Sequence, residues 1–193
     1  GVLRLTHDIG KESRIGSFFS YGDPRSNVQN YVTGLDFDFK NSHFGEGNDQ
    51  VQFKVFELMS RDENYEHAHA FGAQLLYPNE PVSFNFSARQ VDTLFDPGQG
   101  FVRRPGTRRA IGSVQKEFYP DSIEWLREVS VETSAKTYTN LDNVVETIEI
   151  NPIEYQMEFE SGDELFINPE WNREVLFDPF NIADNVTIPT GTY

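Results

Sequence analysis

The stretch NYVTGLDFDFK, residues 30–40, decides the fold class. Tyr31, Thr33, Leu35, Phe37 and Phe39 fall at one parity, and Val32, Gly34, Asp36 and Asp38 at the other. Successive side chains of an extended chain point to opposite faces, so this is a β-strand with one apolar face. VSFNFSARQ repeats the pattern, with Val82, Phe84, Phe86 and Ala88 on one side and Ser83, Asn85, Ser87 and Arg89 on the other. Less regular alternation runs through VLRLTH, SRIGSFFSY, VQFKVFELMS, AFGAQLLY, RAIGSVQKEFY, EVSVETSAKTYT, VVETIEI, IEYQMEF and ELFINPEW.

Turn chemistry separates these runs. YGDPRSN, HFGEGND, RDENYEH, YPNEP, FYPDS, NLDN and ESGDE are rich in Gly, Pro, Asn and Asp, the residues that set turn geometry. Roughly ten strands are predicted, with no amphipathic helix of ordinary length. PDSIEWLREVS tolerates a helical turn at Pro120 and Asp121 but returns at once to strand chemistry, and reads as a strand with a short lead-in. No long-period repeat suggests a propeller or solenoid. The fold class expected is all-β, an antiparallel meander, in one domain spanning 1–193. A meander of this length closes into a barrel, folds into a sandwich or continues in further chain. The closing VTIPTGTY reads as the start of another strand, so part or all of a barrel is expected.

The 193 residues carry 31 Asp and Glu against 16 Lys and Arg, a formal net charge of -15. A nucleic-acid partner is not expected, because a phosphate backbone requires a compensating basic surface. Cysteine is absent, which excludes disulfides and thiolate metal sites. No apolar run reaches the roughly 18 residues of a membrane-spanning helix. A membrane barrel remains open, since its strands are only about ten residues long and alternate in polarity.

Against this acidic background FDPGQGFVRRPGTRR, residues 95–109, concentrates four arginines beside three glycines and two prolines. Such a segment suits a shaped loop. Arg103, Arg104, Arg108 and Arg109 are the candidate ligand-binding residues: they either pair with carboxylates inside the fold or bind an anionic sugar, a phosphate or lipopolysaccharide.

Other chemistry is sparse. GxSxG, HExxH, P-loop and GxGxxG patterns are absent, so no catalytic residue is assigned and no cofactor is expected. His67 and His69 stand at a spacing that a metal can bridge across one strand face, but solvated histidines beside an acidic turn are the simpler reading, and no metal is expected. Asp36 and Asp38 share a face about 7 Å apart, the separation of a glycosidase pair, with the lining of a polar interior as the plainer role. Asp62, Glu63, Glu46 and Asp49 sit in acidic turns without the ligand spacing of an EF-hand.

Aromatic residues are abundant, with 17 Phe and 8 Tyr. In a membrane barrel Tyr21, Tyr31, Tyr77, Phe118, Tyr119 and Tyr138 are expected to form interfacial girdles, with Phe37, Phe84 and Phe86 facing lipid. Trp125 and Trp171 are candidate carbohydrate-stacking platforms or packing residues. Glu57, Lys116, Glu146 and Glu158 interrupt apolar strand faces and are expected above the lipid band.

Four separated stretches resemble one family, bacterial outer-membrane β-barrels of uncharacterised function that commonly follow a carbohydrate-binding module of the family-nine type. RLTHDIGKESRIGSFFSYGDP is similar to that family's first barrel hairpin through Arg4, Asp8, Ser13, Ile15 and Gly16. NYVTGLDFDFK resembles its next strand through Gly34 and Asp36. FDPGQGFVRRPGTRR looks like its most recognisable segment, and LFDPFNIADNVTIPTGTY resembles a later Pro-Phe and IPxGxY stretch. The resemblance implies an outer-membrane location and partners that include outer-membrane lipid. It also implies a glycan or other nutrient as ligand, with further strands and an upstream binding module beyond this chain. The function expected is surface binding or uptake of extracellular glycans or nutrients. A soluble carbohydrate-binding β-domain and a membrane-associated hydrolase acting on glycans are the alternatives.

Overall fold

The computed structural model describes residues 1–24, 29–62 and 67–193. Nine long strands follow one another as β1 (Val2–Ile9), β2 (Ser13–Tyr21), β3 (Asn30–Phe44), β4 (Asp49–Asp62), β5 (Ala68–Pro78), β6 (Val82–Val91), β7 (Thr107–Phe118), β8 (Leu126–Asn140) and β9 (Val145–Phe159). Five short ones follow among the described residues: β10 (Glu164–Ile167), β11 (Trp171–Leu176), β12 (Phe180–Ala183), β13 (Val186–Ile188) and β14 (Gly191–Thr192). Each long strand pairs with its sequence neighbour, giving a 12-stranded antiparallel sheet in the order β1-β2-β3-β4-β5-β6-β7-β8-β9-β11-β14 with β10 also on β9. The meander expected from the sequence is therefore present, with β12 and β13 as a separate hairpin. The short strands account for the excess over the expected ten. Residues 120–125 form turns leading into β8, with no helix.

The sheet is not closed into a barrel. Among the described residues the outer edge of β1 has no strand partner, and the opposite edge ends in β11 and β14, which share only two residue pairs. Ladders this short do not offer the eight-residue β1 a complete partner, so the closed cylinder admitted by the sequence is corrected to an open sheet.

The pairing register separates two faces. Phe39, Phe53, Leu75, Phe86, Gly112, Ala135, Ile150 and Trp171 stand level across eight strands on one of them. The next level on that face holds Phe37, Val55, Ala73, Ala88, Ala110, Thr137 and Ile148. One residue beyond the second level, on the opposite face, lie Asp36, Phe56, Gly72, Arg89, Arg109, Tyr138, Thr147 and Glu174. One face is thus largely apolar, interrupted by Glu57, Arg108, Lys116 and Arg173, and the other carries most of the charges.

Nothing covers the apolar face among the described residues. Leu35 is 63% exposed, Phe86 46% and Phe71 45%. The accessible surface of 12768 Å² compares with roughly 9,400 Å² for a compact soluble monomer of this mass. Among the described residues the buried hydrophobic ones are Val32, Ala68, Ala70, Val91 and Phe95, with Phe18, Leu58 and Val102 against them. This small core sits on the charged face, beneath the loop between β6 and β7, while the large aromatic surface lies on the other side.

The apolar band climbs across the sheet. Its upper edge is Phe39 on β3 and Phe118 on β7, about six residues beyond Gly112, the residue level with Phe39. Six residues rise roughly 20 Å while four strand spacings cover roughly 19 Å. A band perpendicular to a common axis then requires strands tilted by about 45°, within the range of closed membrane barrels.

Tyr138 departs from its expected place. Its register partner is Arg109, which puts it on the charged face rather than in an outer girdle. The alternation around it, Thr137 and Thr139 against Lys136 and Tyr138, carries no polarity contrast strong enough to fix the phase.

Candidate functional site

The loop of residues 92–106 is laid across the charged face and anchored by polar contacts at each step. Asp92 accepts the His69 backbone N–H through Oδ2 at 2.8 Å. The Asp96 N–H donates to Ser60 Oγ at 3.2 Å, and Asn30 Nδ2 donates to the Asp96 carbonyl at 3.2 Å. Gly98 adopts φ +62, and a Cβ there would stand 2.9 Å from Asn30 Oδ1 and 3.1 Å from the Gly22 carbonyl, so this crossing requires glycine. Gln99 Nε2 donates to the Tyr21 carbonyl at 2.6 Å. The loop then returns toward the far strands, where Arg104 donates to Thr147 Oγ1 at 2.9 Å and Glu174 Oε1 at 3.2 Å. Its guanidinium also lies 4.7 Å from the Tyr138 ring centroid, within cation–π range.

The four arginines singled out in the sequence do not form one site. Arg103 is exposed on the loop. Arg104 ties the loop to β9 and β11. Arg108 lies on the apolar face near the loop end of β7, where it donates to Gln90 Oε1 at 2.8 Å and to Asn143 Oδ1. Arg109, one residue on, points to the charged face beside Arg89. Strand alternation necessarily sends neighbours to opposite faces, so the cluster seen in one dimension is divided in three.

Arg89 was visible at a polar parity, but its pairing with Arg109 depends on the register across a 15-residue loop. Like charges directly opposite one another on a sheet destabilise it. Arg4 and Arg14, on the same face, are each paired, to Asp36 and to Asp8 at 2.7 Å. Lys136 pairs with Glu149 and Arg104 with Glu174. Among the described residues no carboxylate comes within ion-pair distance of Arg89 or Arg109, and the buried Arg109 Nε has no hydrogen-bond partner. Phe56 folds over Gly72, its Cε1 2.8 Å from where a Cβ would stand, with the Arg89 Cβ 3.0 Å from the same point. A depression of about 910 Å³ borders Phe56, Gly72, Arg89 and Arg109, and most of its other lining residues belong to the apolar rows.

The remaining candidates are engaged elsewhere. Arg4 grips both oxygens of Asp36, one at 2.8 Å, and Asp38 accepts twice from Gln52 Nε2 at 2.7 and 3.0 Å. Both carboxylates are thus engaged by neighbouring side chains. His69 Nδ1 lies 3.2 Å from Glu57 Oε1, on the apolar face. Among the described residues no group of three metal-ligating side chains exists. Asp49 accepts from the Tyr77 hydroxyl, and Glu63 lies outside the described residues.

Several of the aromatic residues share the apolar face. Tyr21 stacks on Tyr31 at 6.0 Å, and Tyr77 on Phe84 at 5.1 Å, all on the apolar face. Lys116 lies on that face too, 4.9 Å above Phe118. Tyr119 shares its hydroxyl between Glu117 and Glu80, at 2.9 and 3.1 Å. Glu117, accepting from the phenol, contributes most to raising the Tyr119 pKa well above the ordinary tyrosine value. Trp125 stacks on Phe159 at 5.8 Å, while Trp171 joins the exposed apolar row. Glu158, expected to interrupt an apolar strand face, lies instead on the charged face, level with Glu128 and 3.9 Å from Arg127.

Compared with known proteins, the chain matches no family model, no curated protein and no solved structure.

Proposed function

We propose that this chain is part of an outer-membrane β-barrel that binds extracellular glycans or other nutrients at the cell surface or takes them up. The observation that carries the reading is the uncovered apolar face, ordered into aromatic rows and climbing across the sheet as tilted membrane strands require. A soluble sandwich would bury such a face against a second sheet. Exposing it to water instead forfeits about 25 cal/mol for each Å² left uncovered. Acyl chains supply the missing cover, and the charged face with its inlaid loop becomes the lumen wall.

Backbone edges in lipid must also be satisfied, so the reading requires partners for β1 and for the β11–β14 edge. The resemblance to outer-membrane barrels, carried by the stretches around Arg4, Gly34, Arg104 and Pro189, supports the same conclusion and is the ground for naming glycans.

Expression in a Gram-negative host followed by fractionation tests it. The chain is expected in the outer-membrane fraction, resistant to alkaline extraction and dependent on detergent for dispersal. A monomer that remains dispersed in buffer without detergent, with native strand content, overturns the reading.

A further inference from the structure

We infer that Arg89 and Arg109 form a binding site for an oxyanion carried on a small solute. The two residues face each other directly across β6 and β7 on the charged face. Arginine presents a rigid fork of donors that matches a carboxylate or phosphate, and two forks side by side offer more donors than one residue can. The acids nearest in the same rows are each held by another cation: Asp36 by Arg4, Glu174 by Arg104, Glu149 by Lys136. In a chain with 31 acidic and 16 basic residues, leaving these two guanidiniums without a carboxylate among the described residues produces a local positive field inside an acidic protein. Arg109 carries the second mark of a site awaiting a ligand, a buried Nε with no hydrogen-bond partner, where buried donors are otherwise satisfied.

The surroundings specify more than charge. Phe56 and Tyr138 flank the pair in its own row, at the Arg89 and Arg109 ends respectively. Beside Arg89, Gly72 carries no side chain, and the Phe56 ring stands over it. An aromatic wall beside two cations suits an anion borne on a sugar-sized ring, the oxyanion gripped by the guanidiniums and the ring lying against Phe56, since the Tyr138 ring is already taken by Arg104. This deepens the proposed function and rests on it for the route by which a solute arrives, but not for the binding itself.

Calorimetric titration of the full chain in detergent micelles tests the site, with glucuronate and inorganic phosphate as probes and glucose as the neutral control. Glucuronate or phosphate is expected to bind, the responding probe distinguishing a sugar acid from a free anion, and glucose is not. Arg109→Gln is expected to weaken binding at least tenfold. Arg89→Gln is expected to do the same while raising the melting temperature of the ligand-free protein, because it removes a like-charge contact. Absence of heat with both anions, equal binding of glucose, unchanged affinity in Arg109→Gln, or a lower ligand-free melting temperature in Arg89→Gln each overturns the inference. Membrane insertion without anion binding sinks the site alone, whereas anion binding by a chain that needs no detergent sinks the barrel reading alone.

Discussion

Gln99 donates its side-chain amide to the backbone carbonyl of Tyr21 at 2.6 Å, joining positions 78 residues apart. Five residues further along the same loop, Arg104 reaches Thr147 on β9 and Glu174 on β11. The loop is therefore a strap tied near both ends of the sheet. Replacing Arg104 by alanine removes a charge-assisted pair and leaves Thr147, a buried side chain, without its donor. The expected loss is about 1 kcal/mol or somewhat more in urea unfolding from micelles, with the loop becoming the first site of proteolytic cleavage. Unchanged stability and unchanged cleavage would show that the ties do not hold the loop.

Gly34 faces Leu58 at close range. A Cβ at residue 34 would stand 2.3 Å from Leu58 Cδ2 and 2.6 Å from the Glu57 carbonyl. The methyl of Leu58 can rotate aside, but the backbone carbonyl cannot. Gly34→Ala is therefore expected to cost about 1–3 kcal/mol by overpacking, measured as a shifted unfolding midpoint. Gly45→Ala, in a turn with nothing within 4 Å and φ +71, has no such clash and reports backbone strain alone. Equal effects at both positions would contradict the packing explanation.

Glu12, in the turn between β1 and β2, accepts the Ser42 N–H at 2.8 Å through Oε2. The Ser42 side-chain hydroxyl is the main reason its carboxyl is held below the ordinary glutamate value, and the Ser42 N–H, His43 and Lys40 add to the effect. A carboxyl whose folded pKa is depressed binds protons more weakly in the folded than in the unfolded chain. Its contribution is present above the unfolded value, about 4.3, and is lost as pH falls through the lower folded value. Glu12→Gln is expected to be less stable than the parent near neutrality, with the difference vanishing on acidification below about pH 4. A gap that persists unchanged at acid pH would remove Glu12 from the account of acid stability.

Much of the fold was legible in the residues. In NYVTGLDFDFK and VSFNFSARQ the polarity contrast at alternate positions is large enough to fix both strand and phase, and the structure puts Phe37, Phe84 and Phe86 on the face expected for them. Tyr138 was misplaced because SAKTYT has small or polar residues at both parities, and only pairing with β7 sets its face. The arginine cluster is divided for a related reason: neighbours in sequence are opposed in a strand. The Arg89–Arg109 contact depends on how a long loop is accommodated, a tertiary property with no local signature. The open edges likewise follow from which strands find partners.

The apolar and charged faces make opposite demands on an added charge. Phe86→Arg puts a guanidinium in the middle of the aromatic row, and in a bilayer this is expected to cost about 2–4 kcal/mol in the free energy of folding into vesicles. Asn85→Arg, the preceding position on the charged face, is expected to be nearly neutral. In detergent-free water the ordering would disappear, since Phe86 is already exposed, and equal costs in vesicles would mean that lipid does not contact this row.

The face assignment itself can be read directly because the chain has no cysteine. Single cysteines introduced at positions 82–89 of β6, spin-labelled and reconstituted in phospholipid vesicles, report collision with oxygen, which concentrates in lipid, and with a water-soluble nickel complex. Labels at positions 82, 84, 86 and 88 are expected to meet oxygen and be shielded from nickel, and those at 83, 85, 87 and 89 to show the reverse. Nickel access at every position, with no alternation, would contradict the assignment of the aromatic face to lipid.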